Sequence, residues 1–150
     1  MRRMVGGLGT CLAIVITFAG MADTILPPPA TALSTTRGSV AVSALLALSY
    51  SIDESAPCAI MVSASTRSGT PVTGATLSIQ GGGLGVGDWT PLITGEQPVT
   101  KTPTLCTIPT PSSGSIDDIR FRLDARDVPC GAQGLNSPWT YLLTYTIVAS

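Results

Sequence analysis

Three segments of the chain alternate between apolar and polar residues. In residues 40–52 every second position is apolar, and serines occupy positions 43, 49 and 51 of the other set. Residues 119–126 alternate Ile, Phe, Leu and Ala with three arginines and an aspartate, and residues 139–149 alternate in the same way with threonines. A period of two predicts β-strands with one buried face, because a helix would scatter these apolar residues around its circumference.

Four weaker strands are predicted at residues 59–65, 75–79, 89–94 and 99–108. The last of them contains Pro103, which favours an edge strand or a bulge. Turns rich in glycine or proline separate the strands, among them residues 81–87 and 131–134. About seven short strands without an amphipathic helix predict an all-β fold, a single antiparallel β-sandwich, with a small barrel as the alternative architecture.

The N-terminus has the pattern of a secretory signal peptide. Arg2 and Arg3 precede an apolar run at residues 4–19, and small residues flank a cleavage position after Ala22. The alternative is an uncleaved membrane anchor, but a run of 16 residues is shorter than the roughly 20 that span a bilayer. We therefore expect residues 1–22 to be removed, residues 23–37 to form a Pro/Ser/Thr-rich linker and residues 38–150 to form the domain.

Composition narrows the function. Only 11% of the residues are charged and the chain contains no histidine, which excludes Ser-His-Asp and Cys-His catalysis and Cys₂His₂ zinc sites. Loss of Arg2 and Arg3 from the eight basic residues leaves six against nine acidic ones, a net charge of −3, and this argues against nucleic-acid binding. We expect no enzyme activity, no cofactor and no metal, and no membrane span in the mature chain.

The cysteines fit an exported protein, since disulfides form outside the cytoplasm. Cys11 leaves with the signal peptide, so Cys58, Cys106 and Cys130 remain. A strand separates Cys106 from Cys130, and ten strand residues span roughly 33 Å, too far for a disulfide. Counting strand directions places Cys58 and Cys106 at the same end. The prediction is a Cys58–Cys106 disulfide with Cys130 as a free thiol; the alternative is three reduced cysteines.

A glycine-rich loop followed by Asp88 and Trp89 is the candidate ligand site. Gly83 and Gly85 could let a ligand approach the backbone closely, and Trp89 could stack on a sugar or an aromatic group. The glycine spacing fits neither nucleotide-binding fingerprint, so a plain hairpin loop and a core tryptophan are the alternatives. The acidic residues Asp117, Asp118, Asp124 and Asp127 suggest calcium, but pairing with the neighbouring arginines is the simpler interpretation.

The C-terminal third resembles the closing hairpin of bacterial secreted β-sandwich proteins. The segment 119–124, a Pro/Gly turn at 129–134 and the strand 141–149 carry this similarity to fimbrial-type and coat-type subunits and immunoglobulin-like modules. The resemblance implies an extracellular structural or adhesive role. We therefore expect a non-enzymatic coat, adhesion or assembly component, secreted or at the cell surface with the periplasm as the alternative place. It would contact itself or other surface proteins through edge strands. The alternative is a ligand- or carbohydrate-binding module.

Overall fold

The computed structural model describes residues 8–15, 23–53, 56–130 and 139–150, and for residues 8–15 it describes the backbone. In these residues the chain forms twelve strands and one short 3₁₀ turn, Gly82–Leu84. In chain order the strands are β1 (Leu8–Val15), β2 (Thr24–Leu26), β3 (Thr31–Ser34), β4 (Val40–Val42), β5 (Leu46–Ile52), β6 (Cys58–Ser68), β7 (Thr76–Gln80), β8 (Thr90–Thr94), β9 (Gln97–Pro98), β10 (Thr104–Ile108), β11 (Ser112–Asp124) and β12 (Trp139–Ala149).

The first sheet has the strand order β10-β6-β12-β1-β3. Its centre is the long antiparallel pair of β12 with β6, which extends from Thr140 opposite Ser68 to Ala149 opposite Cys58. On the other edge of β12, β1 runs parallel to it, and β3 runs antiparallel to β1. The strand β10 closes the opposite edge of the sheet.

The second sheet has the order β2-β5-β11-β7-β8-β9, and β4 also pairs with β11. Its long strand is β11, which pairs with β5 and β4 on one edge and with β7 on the other. The register between β11 and β5 shifts between Ile116 and Ile119. All pairs of this sheet are antiparallel.

One continuous cluster of buried side chains draws on both sheets. Alternation along β11 and β12 supplies much of it, because successive side chains of a strand point to opposite faces. From these two strands the buried apolar residues are Ile116, Ile119, Phe121, Leu123, Trp139, Tyr141, Leu143, Tyr145 and Ile147.

The all-β prediction is confirmed, with more strands than the seven expected. The segment 40–52 is divided into β4 and β5, and β11 extends back to Ser112 through a polar stretch that lacks the alternating pattern. Pro103 directly precedes β10, an edge strand with a register shift, as expected from its missing N–H. No helix within the described ranges is long and apolar enough to cross a membrane.

The segment 23–37, the predicted linker, has secondary structure of its own. It contains β2 and β3, and Ile25 and Leu33 are buried at 5% exposure each. Apolar burial of these two side chains fixes a stretch whose prolines and threonines suggested an extended spacer. The cleavage position after Ala22 and the predicted turn at residues 131–134 lie outside the described residues.

Ser43 explains why the alternating segment is broken into two strands. Its side chain is buried; its hydroxyl donates to the Ala44 carbonyl at 2.8 Å and accepts from the Phe121 N–H at 2.9 Å. The Ser43 N–H also donates to the Phe121 carbonyl at 2.8 Å. The hydroxyl therefore takes the place of a strand acceptor where the chain leaves β4.

We predict that Ser43→Ala lowers the free energy of unfolding by about 1–3 kcal/mol, because the buried Phe121 N–H loses its acceptor. The matched control is Ser49→Ala, an exposed serine of β5 whose loss should change stability by less than about 0.5 kcal/mol. Urea unfolding of both variants measures the difference. Equal effects of the two substitutions would contradict this role of Ser43.

Candidate functional site

Trp89 lies against an arginine of β11. The Arg122 guanidinium carbon is 4.9 Å from the centre of the Trp89 ring, a cation–π contact. Trp89 is half-buried and precedes β8 directly, whereas Arg122 comes from the middle of the second sheet. The contact therefore fastens the glycine-rich connection between β7 and β8 onto the sheet.

Arg122 belongs to a short chain of charges that includes Asp124 and Arg126. The Arg126 Nη2 atom is 2.7 Å from the Asp124 carboxylate, and Arg122 Nη2 is 3.7 Å from the same oxygen. The hydrogen bond from Arg126 lowers the pKa of Asp124, and the charges of both arginines act in the same direction. The expected pairing of this aspartate with neighbouring arginines is confirmed.

The face of the second sheet that carries Arg122 also carries exposed apolar residues. Val42 is directly opposite Arg122 in the register and Val40 is opposite Asp124, so these side chains share one face. Leu26 on the edge strand β2 and Leu45 before β5 are also exposed, at 70% and 57%. We call these four residues, Leu26, Val40, Val42 and Leu45, the apolar patch.

The glycine-rich loop is a tight, hydrogen-bonded turn. The Gly82 N–H donates to the Asp118 carboxylate at 2.8 Å, and the Gly81 N–H donates to the Gly85 carbonyl at 2.7 Å. A Cβ on Gly82 would lie 2.6 Å from the Leu105 carbonyl oxygen, and one on Gly81 would overlap the Asp118 carbonyl. The glycines therefore allow the turn to pack against β10 and β11.

The four predicted ligand residues have different surroundings. Gly83 faces the backbone of Leu105 on β10, while Gly85 and Asp88 are exposed. Trp89 lies over Arg122 on β11, the strand that also carries Asp118. The glycine turn and the tryptophan thus contact different residues of β11, and ligand binding by the four predicted residues stays a prediction.

The predicted disulfide partners lie on neighbouring strands. Cys106 is opposite Ile60 and Cys58 is opposite Ile108, so the two cysteines are diagonal neighbours in the β6–β10 pair. Such positions are about 7–8 Å apart between Cα atoms, beyond the roughly 7 Å that a disulfide spans without movement of the backbone. No disulfide joins the cysteines whose side chains the structure describes. Burial raises the pKa of the Cys106 thiol.

Cys130, the predicted free thiol, is exposed in the turn after β11. The Arg37 Nη1 atom donates to its sulfur at 3.0 Å. This contact ties the chain before β4 to the chain after β11.

Sequence reasoning did not assign Asp118 its role. It binds the glycine turn through the Gly82 N–H, 36 residues away in the chain, and Asp117 accepts from the Ser115 hydroxyl at 3.2 Å. Within the described part of the chain no three His, Cys, Asp or Glu residues converge as a metal site would require. Comparison with known protein families and with characterised proteins finds no match.

We predict that Asp124→Asn flattens the acid limb of the stability profile. A lowered pKa in the folded state stabilises the protein above the unfolded value of about 3.9, and this stabilisation is lost as the pH falls through the folded value. Urea unfolding between about pH 6 and pH 3 measures the slope. Asp127→Asn, at an exposed carboxylate, is the control; equal slopes in both variants would contradict the role of Asp124.

We predict that the purified protein, once oxidised, yields a Cys58–Cys106 linked peptide, formed faster at alkaline pH because the Cys106 thiol has a raised pKa. The edge strand β10 has a register shift beside Cys106 and can make the small movement required. Peptide mapping without reductant measures the link. Cys130→Ser should leave it intact and Cys106→Ser should abolish it, whereas a linked peptide containing Cys130 would contradict the assignment.

Proposed function

We propose that this chain is an exported, non-enzymatic β-sandwich that works as a coat, adhesion or assembly subunit. The two sheets are the two layers of an immunoglobulin-like sandwich in this proposal, which is supported by their shared core cluster. The absence of histidine from the sequence supports a role without general-base catalysis.

The observation that carries the proposal is the apolar patch. Among the residues whose exposure the structure describes, six large hydrophobic side chains are exposed, and four of them form this patch on β2, β4 and the connection to β5. Exposed apolar side chains on a sheet with an edge strand favour contact with another protein. The occupant that we propose is a second copy of the chain, because a coat or assembly subunit repeats.

Ligand binding through Trp89 is the second candidate function. One observation favours it: the ring is half-buried on the surface rather than in the core, beside the cationic Arg122. An aromatic ring next to a guanidinium can contact a sugar or an anionic group. The same purified protein tests this candidate, because glycan binding that disappears in Trp89→Ala with the fold retained would support it.

We predict that the exported protein self-associates and that Val42→Asp weakens this association about tenfold or more, because the interface would have to desolvate a carboxylate. Val42 is 46% exposed, so the monomer should keep its fold. Light scattering after size-exclusion chromatography over a range of concentrations, with reductant present, measures the mass.

The matched control is Val86→Asp, at a valine that is 63% exposed in the glycine-rich loop outside the patch. It should leave the association unchanged, and circular dichroism should show the same strand signal for both variants. A wild-type protein that stays monomeric at every concentration would overturn the assembly function.

A further inference from the structure

The central position of β1 conflicts with the fate predicted for its residues. β1 lies between β12 and β3, paired with Trp139–Tyr145 over seven positions and with Thr31–Ser34 over four. Its sequence, Leu8–Val15, lies within the apolar run of the predicted signal peptide, residues 4–19. Cleavage after Ala22 would therefore remove an interior strand of the first sheet, leaving one edge of β12 uncovered and β3 without the strand that it pairs with in the described residues.

We propose that the exported chain has a strand-acceptor site between β3 and β12, which binds an extended, uncharged apolar segment of another protein. This inference rests on the export that the proposed function includes. Main-chain hydrogen bonds to the uncovered strand edges would supply affinity, as in other cases of β-strand addition. The partner segment runs parallel to β12, as β1 does.

The strand β12 would remain in place as a template when β1 leaves. Its other edge is paired with β6 from Thr140 to Ala149, and its side chains Trp139, Tyr141 and Tyr145 are buried in the core. An ordered strand with one row of unpaired N–H and C=O groups is the surface on which another strand adds.

The strand β3 is too short and too constrained to close the site by itself. It has four residues, whereas β1 covers seven positions of β12. The prolines 27–29 lead into it from β2, which is paired with the other sheet. After β3, the Gly38 N–H donates to the Ala125 carbonyl at 2.9 Å, and the Ala125 N–H donates to the Ser39 carbonyl at 2.9 Å. These bonds hold the chain that follows β3.

The register shows which segment the site accepts. The positions opposite the buried residues of β12 are small or of medium size: Gly9 opposite Trp139, Cys11 opposite Tyr141, Ala13 opposite Leu143 and Val15 opposite Tyr145. The alternate positions are Thr10, Leu12 and Ile14, and the segment contains neither charge nor proline. The partner should offer about seven residues of this kind, because a charge would lose hydration and a proline would lose a ladder hydrogen bond.

The test uses the exported protein, with its N-terminus determined by mass spectrometry, and a synthetic peptide of residues 8–15 that carries Cys11→Ser. The peptide should bind with 1:1 stoichiometry and slow amide exchange at residues 139–145 and 31–34. At about 100 times its Kd it should raise the Tm by roughly 5–10 °C. The control peptide carries Leu12→Pro in addition and should do neither.

Two results would overturn the acceptor site. One is an exported protein that retains residues 8–15, since the site would then be filled by its own strand. The other is a processed protein that does not bind the peptide and whose β12 amides are already protected from exchange without it. Either result leaves the Val42→Asp assay of self-association unaffected. Conversely, a protein that stays monomeric but binds the peptide would contradict the proposed assembly function and support the acceptor site.

Discussion

The second sheet depends on the pairing of β11 with three other strands. The thirteen residues of β11 pair with β5 and β4 on one edge and with β7 on the other, so the register of β11 sets the positions of all three strands. Its buried face supplies Ile119, Phe121 and Leu123 to the core. Its other face holds Asp118 for the glycine turn and Arg122 for Trp89. One alternating strand thus fixes both the core and the features of the candidate site.

Alternation predicted the buried residues of β11 from Ile119 onward and those of β12 up to Ile147, because burial on one side of a sheet imposes a period of two directly on the sequence. The same reasoning missed the beginning of β11, where Ser112, Ser113 and Ser115 lie on positions without an apolar partner set. Those residues are a strand because β5 pairs with them, and pairing leaves no local pattern. The strands β2 and β3 were not predicted for a related reason. Each buries a single apolar side chain, Ile25 or Leu33, and one residue makes no alternating pattern.

The candidate site shows the limit of local reasoning more sharply. Trp89 and the glycines were grouped because they are adjacent in sequence, yet their contacts are with Arg122 and Asp118, more than thirty residues away. Sheet register decides these contacts, and register was not available from the chain. The glycine run did contain a physical signal: repeated glycines mark backbone that must approach other backbone closely. That signal is equally compatible with a ligand and with β10, which is the neighbour found.

The N-terminal segment illustrates a deeper ambiguity in sequence patterns. An export signal needs a short, uncharged apolar run without proline, and a strand enclosed between two others needs the same composition. Under the proposed export, both demands fall on residues 8–15. The two uses exclude each other once the chain is cut, because the sheet then loses hydrogen-bonding partners for seven consecutive residues of β12.

Unpaired polar backbone beside a buried aromatic row is costly, since each lost partner leaves a desolvated group. Under the proposed processing, that edge must be satisfied by water, with the core loosened beside it, or by another strand. Pairing of β3 itself with β12 is unfavourable, because β3 is short and tethered. A strand from a partner protein is therefore expected at the edge of β12.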